Sequence, residues 1–199
     1  MNETINTIYQ RRAVRKYKPI PLNKQMLDEL ISAGKMAPSA MNKQPWKFYI
    51  LTDTKQIFKF SKAIEDLALK KIRQASPAKA VRTTLSFFHF STLLSILKNK
   101  DHVFYGAPAV IFITQPRNDE WGSLDIGMCA QNIMLAAASM GLDTCPVGFG
   151  KYIVQTPDYA ELNIPSGEEV ALAIVVGYGD ETPPARKRTK NNIHYQSPF

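Results

Sequence analysis

Two stretches of this 199-residue chain hold the side chains with most chemistry to offer. Ala37 to Phe48 reads Ala-Pro-Ser-Ala-Met-Asn-Lys-Gln-Pro-Trp-Lys-Phe. Pro38 and Pro45 fix φ and each removes a backbone donor. Ser39, Asn42 and Gln44 supply short polar groups that suit the edge of a ligand. Trp46 brings a large flat face that is costly to leave in water. Taken alone, the twelve residues fit a proline-stiffened turn better than a ligand loop. The other stretch is Arg11-Arg12-Ala13-Val14-Arg15-Lys16-Tyr17. Arginine forms forked, charge-assisted bonds to phosphate and carbonyl acceptors, so an anion clamp competes here with a solvated basic turn. A further basic run, Arg186-Lys187-Arg188-Thr189-Lys190, lies near the end.

Other routes to chemistry are unsupported. The chain has no strand-bound G-x-G-x-x-G, no Walker A sequence, no zinc-spaced Cys/His set, no G-x-S-x-G and no H-E-x-x-H. Cys129 and Cys145 are the only cysteines and form no C-x-x-C pair. They read as buried small hydrophobes in a reducing, cytoplasmic setting. His89, in an apolar stretch, receives no role. Neither a catalytic side chain nor a metal site is expected. The net charge of +8 suggests an anionic partner: nucleic acid, an anionic membrane surface or a phosphorylated small molecule. Nucleic acid is set aside, because the basic residues fall in two clusters without a nucleic-acid motif. No signal peptide and no membrane-spanning run is read.

These stretches need elements to hold them. A short helix is expected over 3–10, capped weakly by Thr4. A second runs from an Asn23 cap to about Met36. Lys47 to Leu51 reads as a strand, and 54–75 as a long helix ended by Ser76-Pro77. A strongly apolar helical excursion follows at about 76–100. Ala109 to Ile113 reads as a strand covered on both faces. After a polar loop at 118–123, Asp125 to Met140 reads as a helix apolar on nearly every side and therefore central and buried, with Gly141 closing it. Leu142 to Gly150 reads as a tight connection, 154–162 as a short helix and Val170 to Gly177 as the third strand. Helices alternating with short strands point to a layered α+β or α/β fold in one domain, residues 1–199.

Several separated stretches together resemble the nitroreductase family. They are Arg11 to Tyr17, Ala37 to Phe48, Gly106-Ala-Pro-Ala-Val-Ile, the helix opening Asp125-Ile-Gly-Met-Cys-Ala-Gln-Asn, and Gly177-Tyr-Gly with its basic tail. The pieces occur in the family's order over nearly the whole chain. The resemblance implies an α+β fold with a central mixed or antiparallel sheet flanked by helices. It also implies an intertwined homodimer with FMN at the subunit interface. Carried over by position, Arg11, Arg12, Ala13 and Arg15 would hold the FMN phosphate, ribityl chain and pyrimidine edge. Pro38, Ser39, Ala40 and Asn42 would come from the partner subunit. Pro146, Val147 and Gly148 would lie along the isoalloxazine, and Arg186 and Arg188 would reach the phosphate. Ala13 and Ala40 stand where the family pattern has serine, which removes two hydroxyls.

The implied activity is transfer of electrons from NAD(P)H to a nitroaromatic, a quinone or a related conjugated small molecule, in ping-pong order. A flavin that carries the redox chemistry explains the missing catalytic team. The alternatives are a dehalogenase, enone reductase or flavin-degrading branch of the family, and a non-catalytic flavin-binding protein. The excursion at 76–100 is expected to cover the site.

Overall fold

The computed structural model describes residues 2–74, 101–190 and 192–197; the expected excursion at about 76–100 lies outside the described residues. Helix α1, Glu3–Gln10, is capped by the Asn2 side chain, which accepts the Ile5 N–H, rather than by Thr4. Helix α2, Lys24–Lys35, starts at its expected cap, where Asn23 accepts the Met26 N–H. Strand β1 is Lys47–Leu51 and helix α3 is Thr54–Gln74. Strand β2, Ala109–Pro116, is buried through all but its last residue.

Helix α4, Gly122–Ser139, begins earlier than the sequence pattern suggests. It ends as expected. Gly141 adopts φ 73, its N–H reaches Ala138 O, and the Leu142 N–H reaches Ala137 O. This paired closure satisfies two terminal carbonyls. The helix is not buried all round within the chain. Ile126, Cys129, Ile133 and Ala137 face the core, whereas Leu124 and Met128 remain exposed.

The expected tight connection after Leu142 is instead a strand, β3, Asp143–Val147. It pairs antiparallel with β4, Glu168–Gly177. Pro146 disguises it, since proline within a run argues for a sheet edge or no strand. β3 is the last of the four strands, in the order β1-β2-β4-β3, all antiparallel. The expected single helix at 154–162 resolves into two 3-10 segments, Gly148–Gln155 and Pro157–Leu162.

The sheet is covered on both faces, as the unbroken apolar run in β2 requires. Val110 and Phe112 pack with Ile57, Phe60 and Ile64 of α3 on one side. Ala109, Ile111 and Ile113 pack with Leu27 and Leu30 of α2 and Ile133 of α4 on the other. Both cysteines are free and buried, as expected. No helix among the described residues is long and apolar enough to cross a membrane.

Candidate flavin-binding site

The basic segment after α1 is stitched between β3 and the chain leaving β4. The Val14 N–H donates to Thr144 O at 3.1 Å, and Ala13 pairs with Thr144 in an isolated parallel bridge. The Lys18 N–H donates to Tyr178 O and the Asp180 N–H to Lys16 O, both at 2.8 Å. Val14 and Tyr17 point into the core, and the Tyr17 hydroxyl donates to Val14 O at 2.8 Å. This anchoring leaves the arginines on a fixed backbone beside the sheet edge.

Each arginine has a different setting. Arg12 Nη1 donates to Tyr9 O at 2.6 Å and to Arg11 O at 2.9 Å. The Arg15 N–H donates to a Glu181 carboxylate oxygen, and its guanidinium hydrogen-bonds the Tyr105 phenol. Burial works against the Arg15 charge, but Cys145, Tyr105 and Glu181 favour it and leave its pKa above the usual value. Burial pushes the Tyr105 phenol up, with Arg15 opposing. Arg11 Nη1 is buried with no hydrogen-bond partner, as is Thr144 Oγ1. Arg11, Arg12, Asp143, Thr144 and Glu181 line one cavity of about 230 Å³. A buried guanidinium nitrogen without an acceptor is expensive. An anionic oxygen supplied by a ligand would satisfy it, so these residues fit a phosphate-bearing group.

The loop Pro38 to Gln44 has unusual backbone geometry. Met41, Asn42 and Gln44 have φ of 52, 53 and 48, a left-handed conformation uncommon outside glycine. Local bonds hold it. Ser39 Oγ accepts the Gln44 N–H at 2.9 Å, and Gln44 Nε2 donates to Asn42 Oδ1 at 3.1 Å. Asp125, buried in the first turn of α4, accepts the Ala40 N–H. The sequence reading missed Asp125 as a support of the loop. Its signal was an acid at the start of an otherwise apolar helix. Trp46 packs into the core behind the loop.

Pro146 and Gly148 are exposed, and open space surrounds the direction a side chain would take at Gly148. A flat ligand can therefore approach this backbone. Val147 sends its side chain into the core, so only its main chain faces outward chemistry. Arg186 and Arg188 lie on the exposed tail, and no hydrogen bond among the described residues joins them to the Arg11–Arg15 segment. No group of His, Cys, Asp and Glu among the described residues is arranged to hold a metal.

One chain does not bring all these residues together. The loop meets α4 at Asp125, while the arginine cavity includes Ala138 near its other end. Thirteen residues of helix separate them by roughly 20 Å.

The nitroreductase family profile matches residues 8–178. The nitrobenzene nitroreductase of Ectopseudomonas oleovorans is 30% identical over 95% of this chain and 92% of its own. The 4-nitrobenzoate reductase of Pseudomonas putida is 29% identical over 87% of this chain and 84% of its own. Among solved structures, an FMN-bound nitroreductase from Bacteroides fragilis superposes with a TM-score of 0.78 at 23% identity, covering 99% of this chain and 100% of its own. An FMN-dependent nitroreductase from Clostridium difficile gives 0.70 at 27% identity, covering 98% and 99%.

Proposed function

The chain belongs to the nitroreductase family, and on that premise we propose a homodimeric, FMN-dependent oxidoreductase that uses NAD(P)H to reduce nitroaromatics, quinones or related conjugated acceptors. The observation that carries this reading is the buried, unpartnered Arg11 Nη1 in a cavity at the sheet edge, lined also by Asp143 and Thr144 of β3, the strand that leads through Pro146 to Gly148. A phosphate and a flat ring attached to it fit such a cation beside such a wall.

FMN, when bound, would supply the electron-pair chemistry between NAD(P)H and the acceptor, and a shared site for both would give ping-pong kinetics. The chain's own residues bind and orient. Arg11 and Arg12 would hold the phosphate, and Arg15, fixed by Tyr105 and Glu181, would offer its cation to the pyrimidine edge. Pro146 and Gly148, exposed with open space beside Gly148, would offer the ring a wall. Pro38, Ser39, Ala40 and Asn42 serve the partner's cofactor, because they sit at the far end of α4 from their own chain's arginines. The exposed Leu124 and Met128, and the bare Ile5, Ile8 and Tyr9 of α1, fit burial against a second copy. No side chain is assigned as general acid, and protons come from water.

The visible spectrum of the purified protein tests the cofactor. Oxidised-flavin bands, with NADH or NADPH consumption dependent on a nitroaromatic, are expected. A colourless protein that FMN fails to reconstitute would overturn the reading.

A further inference from the structure

We infer that Thr144 is a cofactor-binding residue whose hydroxyl donates to the flavin's phosphate and stands in for the hydroxyl absent at Ala13. The inference rests on the FMN reading above and adds a residue to it.

Thr144 is almost fully buried, and its Oγ1 has no hydrogen-bond partner. A hydroxyl left unpaired in the interior is destabilising, and an isosteric valine would suit a strand as well without that cost. The unpartnered Arg11 Nη1 belongs to the same cavity. The two groups arrive from different elements, the end of α1 and strand β3. A guanidinium only donates, and a hydroxyl can donate, so one acceptor satisfies both.

Several other polar groups of the lining are engaged. Asp143 Oδ2 accepts the Gly179 N–H at 3.1 Å, Glu181 accepts the Arg15 N–H, and one nitrogen of Arg12, Nη1, donates to main-chain carbonyls, which leaves its other nitrogens for the ligand. The two carboxylates oppose a free anion. A phosphate carried in by a ring bound elsewhere overcomes that opposition, because the ring's own binding holds it there. The bridge between Ala13 and Thr144, locked by the Val14 N–H on Thr144 O, sets Thr144 opposite position 13. A hydroxyl on β3 therefore serves the place that a serine at position 13 would serve.

The experiment compares FMN with riboflavin, which lacks only the phosphate, by fluorescence titration of flavin-free protein. Thr144→Val is expected to weaken FMN binding about tenfold, the worth of a hydrogen bond to a charged group, and to leave riboflavin binding unchanged. Thr144→Ser should bind FMN like the wild type. Ala13→Ser should restore FMN affinity in the Thr144→Val background and add little to the wild type. The flavin-free Thr144→Val protein should melt no lower than the wild type, which separates a ligand contact from a structural one.

Equal loss of FMN and riboflavin, or no loss of either, would overturn the role of Thr144. If Thr144→Val fails to fold, Ala13→Ser alone decides: a gain of about tenfold in FMN affinity would mean that Thr144 supplies nothing. Wild-type protein that binds neither flavin would overturn the FMN reading itself, a result distinct from wild-type binding with an indifferent Thr144.

Discussion

Both carboxylate oxygens of Asp125 accept the N–H of Ala40, at 3.2 and 3.3 Å. The contact joins the first turn of α4 to a loop with three left-handed residues. An acid in that turn is also favoured by the helix dipole. Asp125→Ala should therefore lower stability by about 1–3 kcal/mol, read as a lower denaturant midpoint at unchanged slope. Asp125→Asn, which keeps an acceptor, should cost less. Unfolding of Asp125→Ala at the wild-type midpoint would show the contact to be incidental.

Arg11→Ala removes a buried nitrogen that has no protein partner. The flavin-free protein should hold its melting temperature within a few degrees, while FMN affinity should fall by at least about tenfold. Equilibrium titration with FMN and a melting curve without it check both halves. Unchanged affinity would take Arg11 out of the site.

The exposed face of α4 is expected to be a subunit contact. Leu124 is 52% exposed and lies with Met41, Trp121 and Met128 around an apolar groove of about 450 Å³. Leu124→Glu places a charge where the partner would exclude water, at a cost of several kcal/mol. Light scattering should show a monomer with reduced FMN content. A flavin-loaded dimer in this variant would place the interface elsewhere.

Glu168 gives an acid-range signature. Burial alone would raise its pKa, but bonds from Lys47, Thr114 and Tyr49 outweigh it and hold the carboxyl below the usual value. A lowered folded pKa means that the unfolded chain takes up a proton first. The stabilisation is present above the ordinary glutamate range and is lost as pH falls through the folded value. Stability measured against pH should fall less steeply below about pH 4.5 in Glu168→Gln than in the wild type. Parallel curves would show that Glu168 contributes nothing to acid unfolding.

Much of the fold was legible because its causes are local. The Asn23 cap, the strand Lys47–Leu51, the covered run in β2 and the glycine closure after α4 each depend on a few adjacent residues. β3 was not legible. Its pairing with β4 joins residues far apart in sequence, and Pro146 hides the strand pattern that would have announced it.

The sequence by itself determined the family, through ordered motifs, and marked candidate residues for a flavin site in its basic clusters at both ends of the chain. It carries no motif that marks a catalytic team among its own side chains. Only the tertiary structure decided how those residues divide. Packing of α4 across the sheet sets the loop and the arginine cavity at opposite ends of one helix, which no reading of spacing reveals. It also gave the two missing serines different meanings. At Ala40 the group in use is a backbone N–H, which any residue but proline supplies. At Ala13 the neighbour across the bridge is Thr144, a hydroxyl 131 positions later in the chain, brought there by long-range pairing rather than by local sequence.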